Sequence, residues 1–438
     1  MTKRSQWAAA SMAVTLLLVP AMVRAQATPT PTATPTPLAS INTLPNGQPV
    51  SCLTGAETPP SFLGVSGGNI NSVSIQKTGA VSCSAGTLGS LVQDSNGTEY
   101  VLGSNYVLAR ASGKKSAKAH EPIVQPSLPD LGCWQDTTDT VAQLSKWVPI
   151  NFSKGENQMD AAIAKVVPAV PQPNASPVPG VWPDGRILNL GVNGSGPYYG
   201  YVSTTPFPYD DLTDGMFVMK MGRTSCLTAG KIDAFDAMGL VIYPAGSNQA
   251  STGVARFNHQ ILVIGADPTT GTPASFASTG DSGSLVVTLT DGFYCPQAVG
   301  MVFAGVSGGS ADSGGEIVAV SPIQTILNKF GVSLVGDSSC TPAAPSILTA
   351  SADIPANISD TLRASIERVR NVKRIHGPTL LKMRGVVAVG ISTGGSDHAA
   401  LNVYLKRDTP QIRRSVLAEI GGRARIIFRP IAGRFRPL

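Results

Sequence analysis

Between residues 86 and 320 the apolar residues come in short runs, each bounded by Gly, Pro, Asn, Asp or Ser. Runs at 88–93 and 99–102 flank Asp94-Ser95-Asn96-Gly97, a strong hairpin signal. Others lie at 161–167, 187–190, 216–219, 240–243, 255–264, 285–289, 298–304 and 316–320. A chain broken this often builds strands, not long helices, and predicts a mainly β fold: a sandwich or a pair of barrels. The 46 Gly and 34 Pro supply the turns, and 42% hydrophobic residues suffice for one or two packed domains.

A Pro-rich segment at 167–183 divides the runs into two β units. Ser321 as N-cap and Pro322 at the first position predict a helix reaching Phe330. Beyond a small-residue linker at 341–358 the period changes. Leu362, Ile366, Val369, Val372 and Ile375 recur at helical spacing until Gly377-Pro378. Strands at 386–391 and 401–405, a helix at 411–420 and a strand at 423–428 complete a small, separate α+β (α-β-β-α-β) C-terminal module at 359–438.

Charge follows the same division. The net +6 comprises +11 in residues 359–438, +3 in residues 1–25 and −8 in the acidic body between them. The basic helix carrying Arg363, Arg368, Arg370, Lys373 and Arg374 suits an anionic partner: an acidic polymer, nucleic acid or the body itself. The tail has no nucleic-acid motif and few aromatics for base stacking.

Lys3 and Arg4, an apolar run at 7–23 and small residues before Ala25 and Ala27 form a cleavable export signal, 1–25, followed by a Thr/Pro-rich spacer, 26–44. The expected location is secreted or periplasmic, with no transmembrane segment in the mature chain. Six cysteines, Cys52, Cys83, Cys133, Cys226, Cys295 and Cys340, then read as up to three disulfides, with Cys83–Cys133 the favoured pair. No C-x-x-C pair occurs, so no metal and no cofactor is expected.

Gly280-Asp281-Ser282-Gly283-Ser284 precedes the run at 285–289. A serine in such a turn presents its hydroxyl away from the backbone, while amides converge on a developing oxyanion. Asp312-Ser313-Gly314-Gly315 is a partial copy, but only one run separates Ser313 from the 322–330 helix.

The stretch from 83 to 335 resembles the chymotrypsin-fold, trypsin-like serine peptidases, and more narrowly the bacterial group related to the plant narrow-leaf protein. The resemblance rests on Gly86-Thr87-Leu88-Gly89, Ser104-Asn105-Tyr106-Val107-Leu108-Ala109, Ile123-Val124-Gln125-Pro126, Met159-Asp160-Ala161-Ala162-Ile163-Ala164, Gly222-Arg223-Thr224 and the Ser282 motif, in the family's order. It implies a two-barrel domain at 45–340, with barrel one at about 83–166 and barrel two at about 184–335. It makes Ser282 the nucleophile and Asp160 the acid, but puts Tyr106 where the family's general base, a His, belongs. It further implies an oxyanion hole from the Gly280 and Ser282 amides and a specificity pocket near Phe276, Phe303 and Gly305.

A phenol with a pKa of about 10 is protonated at neutral pH and donates hydrogen bonds; it does not accept the serine's proton. Loss of the base from a comparable triad costs on the order of 10⁶ in turnover. Of the four histidines, His120 sits in the loop after the Tyr106 strand, His259 in a strand, His376 at a helix end and His398 in a turn, and none is matched to the missing base. The expectation is an exported peptidase homologue that binds a peptide or protein with little or no cleavage. The alternatives are an active hydrolase using another base, and a protein that binds anionic surfaces through its tail.

Overall fold

The computed structural model describes residues 50–75, 79–111, 117–153, 155–169, 178–190, 199–244, 253–290, 295–306, 316–339, 342, 359–394 and 398–438. The expected signal and spacer, Ser313, Cys340 and nearly all of the 341–358 linker lie outside these residues.

The hairpin forms as its turn demands. Strands β3 (Ser90–Asp94) and β4 (Glu99–Gly103) pair with Leu91 opposite Val101. Gly97 takes a φ of 76°, and Asp94 Oδ1 accepts the N–H groups of Asn96 and Thr98. Around it run β1 (Ser66–Asn69), β2 (Gly86–Thr87), β5 (Pro122–Val124), β6 (Thr140–Trp147) and β7 (Ala162–Val166). Their order is β3-β4-β7-β6-β5-β1-β2. Only Leu88 and Gly89 separate β2 from β3, so the chain itself brings the last strand back to the first. Leu91, Val101, Leu102, Leu144 and Ile163 fill the interior with no exposed surface. This unit starts earlier than 83, because Ser-Gly-Gly-Asn at 66–69 forms a strand without any apolar signature.

The second barrel comprises β8 (Phe217–Gly222), β9 (Cys226–Tyr243), β10 (Gly253–Gly265), β11 (Leu285–Thr288), β12 (Ala298–Val306) and β13 (Ile317–Pro322). The order β9-β8-β11-β12-β13-β10 closes on itself through a long β9–β10 ladder. Helix α2 (Ile323–Phe330) follows, and β14 (Val332–Leu334) returns to pair with β3 of the first barrel. The helix begins one residue later than the sequence predicts, with Pro322 at the cap. Ser321 does not cap it; its hydroxyl donates to Gln260 and accepts the N–H of Asp160.

The mainly β fold expected from the sequence is thus present. Cys83 and Cys133 are bridged, with 2.04 Å between sulfurs, as are Cys52 and Cys226. Cys295 is also disulfide-bonded.

The tail contains α3 (Asp360–Leu380), β15 (Val386–Ser392), β16 (Ala400–Leu405), α4 (Pro410–Ile420) and β17 (Arg425–Pro430). Three expectations fail here. Helix α3 runs through Pro378, because Leu380 and Leu381 are buried beneath its last turn. Ile375, assigned by period to the buried face, is 53% exposed, while Lys373 is buried. Nor is the tail separate. β15 pairs antiparallel with β9, Phe235 opposite Ile391 and Gly239 opposite Ala388, so the tail strands extend the sheet of the second barrel.

Opposite charges accompany that junction. Lys373 Nζ lies 2.8 Å from Asp236 Oδ2 and Arg370 Nε 3.4 Å from the same oxygen. Arg429 reaches Asp233 at 3.2 Å, and Asp233 also accepts the Tyr404 hydroxyl at 2.6 Å. Burial opposes ionisation of Asp236, but His259 and Lys373 outweigh it and hold the carboxyl below its ordinary value. The chain then turns back to β12 as β18 (Arg436–Pro437).

Candidate active site at the junction of the barrels

The Ser282 turn is shaped by its glycines. Gly280 and Gly283 take φ values of 105° and 99°, a region that side chains resist. A Cβ on Gly283 would come 2.2 Å from the Thr87 carbonyl. Thr87, from β2, holds the turn across the junction: its N–H donates to the Ser282 carbonyl and its hydroxyl to the Gly280 carbonyl. The turn is thus fixed to both barrels.

Asp281 points inward. It accepts N–H groups from Thr224, Ser225 and Ser278, plus the Ser225 hydroxyl. Lys220, with no exposed surface, lies 3.5 Å away and bonds Ser225 Oγ and the Cys226 carbonyl. Burial pulls the Lys220 value down, and Asp281 draws it back only in part. For Asp281, burial is outweighed by Lys220 and the donors, so the carboxyl stays below its ordinary value. The lowered Asp281 value favours its charged form, whereas the lowered Lys220 value eases loss of the ammonium proton. Gly222-Arg223-Thr224 supplies part of this cradle, and Arg223 pairs with Asp130 of the first barrel.

Ser282 itself is fully buried. Its Oγ donates to the Phe303 carbonyl at 2.9 Å and accepts the N–H of Leu438 at 3.1 Å. Helix α1 (Asn105–Leu108), capped by Ser104, presents Tyr106 after β4. Asp160, two residues before β7, is completely buried; its Oδ1 accepts the Tyr106 N–H at 3.0 Å and its Oδ2 the Tyr243 hydroxyl at 2.5 Å. Desolvation raises its carboxyl to about 6, against the lowering effect of Tyr243 and the Tyr106 and Asn105 amides.

Burial pushes the Tyr106 phenol up, offset in part by Ser84. Its ring lies 6.2 Å from that of Tyr243, which also meets Phe152 edge-on at 5.4 Å. An aromatic cluster therefore occupies the surroundings of the acid. Among the described residues, the hydrogen-bond partners of Ser282 Oγ and of the Asp160 carboxylate include no imidazole. His259 instead lies 3.2 Å from Asp236 and against the Tyr209 ring, and His376 bonds Glu419 at 2.8 Å. His120 and His398 are exposed.

The three pocket candidates take different parts. Phe276 shares an apolar cluster with Ala277, Val302 and Leu438. Gly305 faces Leu438, whose side chain would lie 2.8 Å from a Cβ placed there. Phe303 contributes its carbonyl, while its ring packs on Phe257 at 4.7 Å. Sequence reasoning missed Tyr243, Lys220 and Leu438. Only Lys220 carried a signal: a lone cation in the otherwise apolar Phe217–Gly222 strand. No metal-binding cluster of His, Cys, Asp and Glu occurs among the described residues.

No protein-family model matches the sequence, and no curated protein matches it. Among solved structures the chain is similar to Thermobifida fusca protease A, at 16% identity, 61% of this chain, 98% of that one and a TM-score of 0.34. It is similar to Nocardiopsis protease at 15% identity, 62% of this chain, 97% of that one and a TM-score of 0.33. Cellulomonas bogoriensis chymotrypsin follows at 18% identity, 57% and 91% coverage and a TM-score of 0.32.

Proposed function

We propose that this chain is an exported serine-peptidase homologue, of the group related to the plant narrow-leaf protein, whose cleft binds a peptide or protein segment without cleaving it. The supporting observation is the hydrogen bonding of Asp160. Both oxygens are engaged, one by the Tyr106 amide and one by the Tyr243 phenol. A triad needs that carboxylate to orient an imidazole against the serine. Among the described residues the Ser282 hydroxyl is bonded to backbone groups and to no side chain that could take its proton. In this reading the Gly280 and Ser282 amides form an oxyanion hole that serves binding, and the disulfides suit an oxidising compartment.

A fluorophosphonate probe on the full chain tests it. Labelling of Ser282 is expected near the background set by an unassisted hydroxyl. Rapid labelling that rises with pH through the range of an imidazole would overturn the reading and assign the chain as a hydrolase.

A second reading concerns the basic tail. The pairing of Lys373, Arg370 and Arg429 with Asp236 and Asp233 favours the acidic body as its partner. Arg363, Arg368 and Arg374 remain exposed for an external anionic polymer.

A further inference from the structure

We infer that the segment Arg436-Pro437-Leu438 is an intramolecular ligand of the cleft, and that the pocket beside Ser282 is selective for leucine or a branched aliphatic side chain of similar size. The inference rests on the peptide-binding reading above and names what is bound.

Four observations place the segment as a bound peptide. Arg436 and Pro437 add an antiparallel strand to β12, with Arg436 opposite Gly305 and Pro437 opposite Ala304. This is strand addition, in which main-chain bonds supply affinity and a side-chain pocket supplies selectivity. The Leu438 N–H then points at the reactive centre, 3.1 Å from Ser282 Oγ and 3.4 Å from the Phe303 carbonyl. The Leu438 side chain is 2% exposed and sits with Phe276, Ala277 and Val302. Finally, the room it occupies exists because residue 305 has no side chain.

The chemistry of the pocket follows. Its walls are apolar, so a charged side chain would be desolvated there without a partner. Proline at 437 donates no N–H, which the pairing tolerates at a sheet edge. The segment is held at its other end too: Phe435 is buried, and its carbonyl accepts the Ile242 N–H of β9 at 2.9 Å. A ligand tethered this closely competes at an effective concentration on the order of millimolar, so any external peptide must displace it.

The test uses the full chain and fluorescein-labelled Ala-Ala-Arg-Pro-Leu, with Ala-Ala-Arg-Pro-Asp as control, read by anisotropy. Leu438→Asp puts a carboxylate where the leucine was and is expected to raise affinity for the leucine peptide ~10- to 100-fold over wild type, the worth of one buried leucine. The control peptide is expected to bind neither protein. Gly305→Val is expected to abolish leucine-peptide binding even when combined with Leu438→Asp. Equal affinities for the two peptides, or no gain in Leu438→Asp, would overturn the inference.

A wild-type measurement guards against misfolded variants. Millimolar leucine peptide is expected to speed hydrogen exchange of the Leu438 amide, and unchanged exchange would overturn displacement. The outcomes separate from those of the preceding section. If Leu438→Asp binds the peptide and cleaves it, occupancy stands and the non-catalytic reading falls. If affinity does not change and Ser282 stays unlabelled, the reverse holds.

Discussion

The Tyr243 phenol donates a 2.5 Å hydrogen bond to Asp160 Oδ2, across 83 residues of sequence and between the two barrels. If Asp160 is the triad acid, as proposed above, that bond takes the oxygen an imidazole would need, and replacing Tyr106 alone would not rebuild a triad.

Tyr106→His is therefore expected to change ester hydrolysis little on its own. Combined with Tyr243→Phe, which frees the carboxylate oxygen, and Leu438→Asp, which clears the serine, it is expected to gain ~10²-fold or more, the lower end of general-base catalysis. Initial rates on an activated ester check this. Equal rates for the single and triple variants would exclude the geometry.

Asp160 sets a pH dependence of stability with a definite sign. Burial raises its folded value to about 6 from 3.8, so the folded chain holds this proton more tightly than the unfolded chain does. Between these values the unfolded state loses the proton first, and wild-type stability falls as pH rises. Asp160→Asn removes that dependence. Denaturant melts from pH 4 to 7 are expected to show the variant gaining roughly 2 kcal/mol relative to wild type. A constant difference across the range would contradict this.

Lys220→Met removes the cation beside a buried Asp281 carboxylate. The expected loss is roughly 3–5 kcal/mol in equilibrium unfolding, because the charge left behind is uncompensated. Adding Asp281→Asn should recover part of it, a non-additivity that a double-mutant cycle reads directly.

At the other end of the second barrel, Lys373→Met is expected to cost ~1.5–3 kcal/mol, the worth of a hydrogen bond to a charged group, since Arg370 and His259 still face Asp236, with amide exchange rising first in α3 and β15. Acid should act in the same direction. The Asp236 carboxyl is held below its ordinary 3.8, so its contribution is present above that value and is lost as pH falls through the folded one. Exchange in α3 that is insensitive to both changes would show that this ion pair does not hold the tail.

Much of this architecture was legible from local pattern. Asn96-Gly97 fixed a hairpin, the 3.6-residue period marked α3, and the glycines around Ser282 marked the turn. What escaped is non-local. Tyr243 ends an 18-residue strand and reads as ordinary core, since only folding brings it to Asp160. Leu438 reads as one apolar residue after Arg-Pro. The β9–β15 junction did leave a trace in Asp233 and Asp236, acids in an otherwise largely apolar strand, which needed cations from elsewhere. The boundary of α3 was misjudged because Gly377-Pro378 opposes a helix locally, while burial of Leu380 and Leu381 favours continuing it.

Since β15 hydrogen-bonds to β9 and the chain returns through β18 to β12, the basic segment grips the second barrel twice. A fragment ended before residue 359 would bare Asp233 and Asp236 and leave the outer side of β9 unpaired. It would also empty the aliphatic recess beside Ser282. An uncovered strand of that kind invites intermolecular pairing. Shortening the chain there would thus yield a sticky, differently charged molecule rather than a trimmed version of the same one.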